Sequence, residues 1–128
     1  MILILLLKGE TMRMWMIEPE YLCRQHLLGE HNEIHKHRHN FEKKHSISGR
    51  IHPVVLIEPA NMKVRHDQLV KEMLKRGYNH SSPYSLPDLC HLPKEQRDAK
   101  CNISHNIKDL CSRCQECEKL IKNKLTFI

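Results

Sequence analysis

The chain has 128 residues, enough for one domain with a modest hydrophobic core and too few for two domains of ordinary size. Lys and Arg number 21 against 15 Asp and Glu, and the formal charge of +6 suits an acidic partner such as a phosphate backbone. Six cysteines without a recognisable secretory signal indicate a reducing compartment, where thiols stay free or bind metal, and argue against structural disulfides.

The chain opens with a continuous apolar run at residues 1–7. The run is shorter than the roughly 20 residues that a membrane-spanning helix needs. It also lacks the basic region and the small-residue cleavage site of a signal peptide. We therefore predict no membrane association.

A first helix is predicted over residues 19–41, because Pro19 suits a helix start and no further proline interrupts the segment. At about 100° per residue, Glu33 lies on the border between an apolar seam and a polar stripe. The seam consists of Cys23, Leu27, Ile34 and Phe41, and the stripe of His26, Glu30, Glu33 and His37. A carboxylate on such a border can touch a ligand without being buried unpaired.

The rest of the first helix is predicted to be polar. The next stripe outward consists of Gln25, Gly29, Asn32 and Lys36, and the far, solvent side carries His31, His35 and His39. These histidines have the spacing at which two imidazoles four residues apart can bridge a metal ion. They alternate with basic residues, so a solvated histidine-rich face is the preferred interpretation and a metal site the alternative.

A second helix is predicted from residue 59 or 61 to residue 76, with Met62, His66, Leu69, Val70, Met73 and Leu74 on one face. Gly77 provides the stop signal. Loops are expected over residues 41–57 and over the proline-broken segment 80–87. A third helix is predicted from residue 102 or 104 to residue 121. The sequence thus indicates an all-α fold, a single compact domain of three main helices with long connecting loops.

The cysteines permit two interpretations. Cys111, Cys114 and Cys117 fall on the apolar stripe of the predicted third helix, where free cysteines behave as small buried hydrophobes. Their spacing also resembles part of a zinc site. We expect no metal and core packing, and the fallback zinc ligands are Cys101, Cys111, Cys114 and Cys117.

Three ordered motifs resemble those of the pyrimidine-dimer DNA glycosylase/AP lyase family. Residues 24–33 (RQHLLGEHNE) resemble the helix that carries the catalytic glutamate. Residues 65–79 (RHDQLVKEMLKRGYN) look like the second helix of the family, and residues 92–97 (LPKEQR) look like the approach to its third. The resemblance begins at residue 12, so residues 1–11 are interpreted as an N-terminal extension or mis-assigned start, and residues 12–128 as the domain. The alternative is a genuine leader or N-terminal strand.

The resemblance implies an enzyme that excises one base of a pyrimidine dimer and cuts the strand at the abasic sugar by β-elimination. Met12 aligns with the residue whose α-amine forms the Schiff base, provided that it is the mature N-terminus. Glu33 aligns with the catalytic glutamate. The implied DNA-binding residues are Arg13, Gln25, His26, Asn32 and Lys36. Lys36 replaces a family arginine and keeps only its charge, and Asn32 stands where a basic residue is found in the phage enzyme of the family.

No metal or organic cofactor is expected for this chemistry. The expected partner is double-stranded DNA containing pyrimidine dimers or abasic sites, bound by a monomer inside a cell. The alternative function is a non-catalytic, zinc-stabilised nucleic-acid-binding module that uses the Cys/His residues and the basic surface.

Overall fold

The computed structural model describes residues 13–80 and 82–125, without the side chains of residues 124 and 125. Within these residues the secondary structure is entirely helical, as the sequence predicted. Five α-helices follow one another: α1 (Arg24–Glu42), α2 (Met62–Lys75), α3 (Lys94–Arg97), α4 (Ile103–Arg113) and α5 (Gln115–Leu125). Short 3₁₀ turns at Pro19–Tyr21, Ser48–Arg50 and Pro59–Asn61 punctuate the connections. Residues 1–11, interpreted as an extension or mis-assigned start, and Met12, the predicted N-terminal residue, lie outside the described residues.

Helix α1 carries the predicted apolar seam into the core. Its start lies at Arg24, because Pro19 belongs to a separate 3₁₀ turn and Cys23 has the extended backbone of an N-cap residue. Leu27, Ile34 and Phe41 are at most 1 % exposed. The predicted first helix is therefore confirmed, with a later beginning.

Helix α2 ends as the sequence predicted. Gly77 has a φ of +87°, a conformation that glycine adopts without steric cost. Its N–H donates to the carbonyl of Leu74, and the N–H of Tyr78 donates to the carbonyl of Met73. These two bonds form a Schellman motif. Leu69 and Met73 are buried, whereas Leu74 was wrongly assigned to the same face and is 56 % exposed.

The predicted third helix is two helices. Asn102 caps α4 by accepting a hydrogen bond from the backbone N–H of His105 at 3.0 Å, as expected for an N-cap asparagine. At Cys114 the backbone becomes extended, with φ −138° and ψ 110°, and α5 begins at the next residue. The continuous third helix is therefore wrong, although Cys117 lies in the core and Cys111 and Cys114 pack against it, as predicted.

The hydrophobic core joins the segment at residues 13–17 to four helices. Met14 and Ile57 are buried completely, and the backbone N–H of Met14 donates to the carbonyl of Leu56 at 2.7 Å. Cys117 and Ile121 bring α5 into the same core. Within residues 13–80 and 82–125, no helix is both long enough and apolar enough to cross a membrane.

Candidate active site

Glu33 lies in the middle of α1 and is buried, with 4 % of its surface exposed. It is more deeply placed than a residue on the border of a cleft. One oxygen lies 3.5 Å from the ammonium of Lys36, whose side chain is 66 % exposed. A long contact to a solvated lysine contributes little to holding the carboxylate in place.

A stripe of exposed polar side chains runs along α1 beside Glu33. Gln25, Asn32 and Lys36 are all exposed. At about 100° per residue they fall within roughly 40° of one another around the helix. The structure therefore brings three of the five predicted DNA-binding residues together on one accessible surface next to the buried carboxylate. We call this surface the α1 stripe.

His26 lies apart from the α1 stripe. Its ring is half-buried and meets the edge of Trp15, with 5.9 Å between the ring centroids. Its Nδ1 atom lies 3.3 Å from the sulfur of Cys23 and 3.6 Å from that of Cys117. Burial lowers the pKa of His26; Glu30 opposes this effect, and Arg113 adds to it. The ring is therefore a neutral group engaged with sulfur atoms.

Arg13, one of the implied DNA-binding residues, is only 5 % exposed. Its Nη1 donates to Asp109 at 2.7 Å and its Nη2 to Asn106 at 2.5 Å. Its guanidinium also stands 4.0 Å from the Trp15 ring centroid. These contacts fix the segment at residues 13–17 to α4 and engage the Arg13 guanidinium inside the protein.

The segment at residues 13–17 also lies beside the first half of α1. Trp15 contacts His26, as described above, and the carbonyl of Ile17 accepts a hydrogen bond from Arg65 at 2.7 Å. Arg65 in turn binds Glu30 of α1. These contacts anchor the chain that follows Met12 against the helix that carries Glu33.

Sequence reasoning missed the ion pair between Glu30 and Arg65. Arg65 donates from Nε and Nη2 to the two carboxylate oxygens, at 2.6 and 3.0 Å. At most 2 % of either side chain is exposed. Glu30 was predicted on the border stripe with Glu33, but it forms a buried link between α1 and α2. The motif around Arg65 pointed to this helix, yet nothing in the sequence identified its partner.

The histidine face of α1 is also corrected. His31 was expected on the solvent side but is 6 % exposed, and His35 is half-buried, whereas His39 is exposed as predicted. Two histidines from elsewhere complete a group of four imidazoles. This histidine cluster consists of His31, His35, His66 and His80, each with a ligand atom within 4.8 Å of the others. The prediction failed because α2 and the following loop cover that side of α1.

The fallback zinc residues are separated by the fold. Cys114 and Cys117 approach Cys23 and His26, whereas Cys101 lies by Met14 and Glu58, and Cys111 joins no such group among the described residues. The resulting cysteine cluster consists of Cys23, His26, Cys114 and Cys117. The spacings Cys23-x-x-His26 and Cys114-x-x-Cys117 are each readable in the sequence, but their pairing is not.

Comparison with protein families gives one finding. The family model described as pyrimidine dimer DNA glycosylase matches residues 12–86. The matched region includes α1, α2 and Glu33 and ends before α3. No curated protein and no solved structure gives a significant match.

Proposed function

Since the chain belongs to the pyrimidine dimer DNA glycosylase family, we propose that it excises a base at pyrimidine dimers and then cuts the strand as an AP lyase. The proposed nucleophile is the α-amine of Met12 in a mature chain that begins at that residue. The observation that carries the proposal is Glu33, a buried carboxylate beside the exposed α1 stripe, in the helix that the family match includes.

The choice of an α-amine follows from its acidity. Only a neutral amine can attack the C1′ carbon of the sugar. An α-amine with a pKa of about 7.7–8.0 is roughly 10 % neutral at pH 7, while a lysine with a pKa of about 10.4 is roughly 0.04 % neutral. The N-terminal amine therefore offers some hundredfold more nucleophile before its surroundings have any effect.

The reaction then follows from ordinary imine chemistry. The amine nitrogen bonds to C1′ as the bond between C1′ and the base breaks, and the base leaves with the electron pair and takes up a proton. Opening of the sugar ring breaks the bond between C1′ and the ring oxygen, which is protonated, and gives a protonated Schiff base. Loss of a proton from C2′ expels the phosphate at C3′.

Glu33 is the proposed catalytic carboxylate. Its charge would stabilise the positive charge that develops on the sugar, and its oxygens would carry protons during ring opening and elimination. Burial strengthens both effects, because the charge interacts through a medium of lower polarity than water.

DNA would be held along the α1 stripe. Lys36 supplies a charge that attracts phosphate, and Gln25 and Asn32 supply amide groups that donate and accept hydrogen bonds. All three are exposed. The stripe carries a single cationic residue, so the remaining electrostatic attraction comes from the net charge of +6 distributed over the chain. The enzyme is proposed to act as a monomer.

The test is covalent trapping. Borohydride reduces a Schiff base to a stable amine, so a chain beginning at Met12 should become linked to DNA that contains an abasic site. The 128-residue chain with its N-terminus intact should be linked much more weakly, because residue 12 then carries an amide nitrogen. Equal trapping of the two chains would move the nucleophile to a lysine side chain and refute the role of Met12.

Trapping also separates the enzyme from a non-catalytic, zinc-stabilised binding module. Such a module would bind DNA and never become covalently attached, whichever residue begins the chain. Absence of trapping for both chains, on DNA that they demonstrably bind, would favour the module.

A further inference from the structure

We propose that the cysteine cluster binds one structural Zn²⁺ ion. Three thiols and one imidazole converge where the start of α1 meets the start of α5. Thiolates with an imidazole form one of the common ligand sets of structural zinc. This site plays no part in the chemistry proposed for Glu33.

All four ligand atoms lie within 4.8 Å of one another, and three of their six separations match those of a tetrahedral zinc site. With a zinc–sulfur distance of about 2.3 Å, neighbouring sulfurs of a tetrahedral site lie about 3.8 Å apart, and a sulfur and an imidazole nitrogen about 3.5 Å apart. The sulfurs of Cys23 and Cys114 are separated by 3.8 Å. The Nδ1 atom of His26 lies 3.3 Å from the sulfur of Cys23 and 3.6 Å from that of Cys117.

Two backbone N–H groups point at sulfur atoms of the cluster. Cys23 is the N-cap of α1 and so lies at its positive end, and Cys114 joins the end of α4 to the start of α5. The N–H of Cys23 points to the sulfur of Cys117 at 3.2 Å, and that of Cys117 to the sulfur of Cys114 at 3.4 Å. Donors aimed at sulfur stabilise the negative charge that zinc coordination requires.

Core packing alone does not account for the cluster. Cys117 lies in the core and Cys23 and Cys114 pack against it, yet Cys23, Cys114 and the ring of His26 are also partly exposed. Cys114 lies at the break between α4 and α5, the kind of turn in which zinc ligands are placed. A disulfide needs sulfurs about 2.05 Å apart, far less than the 3.8 Å between Cys23 and Cys114.

Zinc at this position would join two parts of the chain. Cys23 and His26 lie within the family match, and Cys114 and Cys117 lie beyond its end at residue 86. The ion would hold α5 against the first turn of the helix that carries Glu33. His26 would then serve as a zinc ligand and not as a DNA contact.

Metal analysis and Co²⁺ substitution of the 128-residue protein test the site. We expect zinc to copurify with the chain and Co²⁺ to give the near-ultraviolet charge-transfer absorption that thiolate ligands produce. Replacing both Cys114 and Cys117 with Ser should abolish that absorption and lower the unfolding midpoint by on the order of 10 °C. Cys90→Ser changes an exposed cysteine outside the cluster and should alter neither property.

A second variant keeps the test decisive if the double replacement does not fold. His26→Cys should still bind one ion and should intensify the cobalt–thiolate absorption, because a fourth sulfur replaces the imidazole. Absence of cobalt–thiolate absorption in the reduced wild-type protein would overturn the zinc assignment. The zinc assignment would also be overturned if chelator did not affect the protein and the isolated protein contained a disulfide between Cys114 and Cys117.

The histidine cluster independently indicates a second metal site, and we infer that it binds a divalent transition-metal ion. Imidazole nitrogens suit zinc, copper, nickel and iron. The Nε2 atoms of His35 and His66 lie 3.1 Å apart, and those of His31 and His80 lie 3.0 Å apart. These distances are slightly shorter than the roughly 3.3 Å expected in a tetrahedral site, so binding requires a small expansion of the cluster.

A carboxylate next to the cluster supports this second site. The Nδ1 atom of His66 lies 3.0 Å from a carboxylate oxygen of Asp67, and a hydrogen bond from Nδ1–H to this carboxylate would leave the Nε2 lone pair of His66 free to bind a metal ion. The competing interpretation is two N–H···N hydrogen bonds without metal. Four imidazoles from α1, α2 and the following loop would then pack together only by stacking and hydrogen bonding.

Metal content of single histidine variants separates these two interpretations. His80→Ala should remove about one equivalent of metal without affecting the cobalt–thiolate absorption of the cysteine cluster. His39→Ala, an exposed histidine of the same helix, should remove none. The comparison requires that His80→Ala is folded and that its cysteine cluster contains metal. If its metal content is then unchanged, the histidine cluster is held by hydrogen bonds alone and the second metal site is refuted.

Discussion

Two buried carboxylates lie one turn apart on α1, and their surroundings differ. Glu30 accepts two short hydrogen bonds from the buried guanidinium of Arg65. Glu33 has a 3.5 Å contact with the exposed ammonium of Lys36. Glu30 thus links α1 to α2, whereas Glu33 lies beside the exposed α1 stripe. Burial alone therefore does not identify a catalytic carboxylate.

The largest expected effect is on catalysis at Glu33. Glu33→Gln keeps the shape of the side chain and removes its charge and its proton-transfer capacity. Base excision on dimer-containing DNA should slow by roughly 100- to 10,000-fold, with DNA affinity almost unchanged. Single-turnover excision and equilibrium binding are the measurements. Near-normal excision by this variant would remove Glu33 from the catalytic role.

Glu30→Gln should instead affect folding. It leaves the Arg65 guanidinium buried without a compensating charge, and breaking a buried ion pair in this way costs about 3–5 kcal/mol. Denaturant unfolding measures the loss. Glu42→Gln is the matched control, because Glu42 lies on the same helix, is 52 % exposed and forms a surface pair with Arg38. It should change stability by less than about 0.5 kcal/mol.

Replacing both Glu30 and Arg65 with methionine tests whether the buried ion pair itself stabilises the fold. Removing both charges leaves no uncompensated ion, so the double variant should be more stable than Glu30→Gln. A double variant that is less stable than Glu30→Gln would show that the attraction between the two charges exceeds the free energy lost when both are removed from water.

A smaller effect is expected on DNA binding. Lys36→Ala removes the cationic group of the α1 stripe. The slope of the logarithm of the binding constant against the logarithm of salt concentration should therefore become shallower by about one unit. Titrations at several salt concentrations provide the slope. Lys63→Ala is the control, since Lys63 is an exposed lysine of α2 that pairs with Asp67. Equal loss of slope in the two variants would mean that DNA does not follow the α1 stripe.

The smallest effect concerns Glu58, a third buried carboxylate with firm partners. It accepts hydrogen bonds from Asn61 and from the backbone N–H of Cys101, each at 2.7 Å. Burial first, and then Glu58, raises the pKa of the Cys101 thiol from 9.0 to about 12. The folded state thus favours the neutral thiol, which contributes stability below about pH 9 that is lost as the pH rises towards 12.

Alkylation of Cys101 provides the measurement. The rate should rise about tenfold per pH unit between pH 9 and 11, because only the thiolate reacts. Glu58→Gln should move the profile to lower pH by a modest amount, since burial is the larger cause. A profile centred near pH 9 in the folded protein would contradict the raised pKa.

The sequence determined the features that depend on neighbouring residues. Hydrophobic periodicity located α1 and α2, Asn102 and Gly77 located helix ends, and the motif that contains Glu33 indicated the family that the comparison found. Each of these features depends on residues that lie within a few helical turns of one another. They can be predicted from the spacing of apolar side chains and from the backbone conformations that each residue type prefers.

Tertiary structure decided which distant residues meet. Arg65 pairs with Glu30 35 positions earlier, and Cys114 approaches Cys23 91 positions earlier. The break at Cys114 moved α5 away from the predicted continuous helix, and α2 covered histidines that periodicity had placed in solvent. Such contacts depend on how whole helices pack, and many pairings of charged or sulfur-containing residues satisfy the same local patterns. Only the packed core selects one pairing among them.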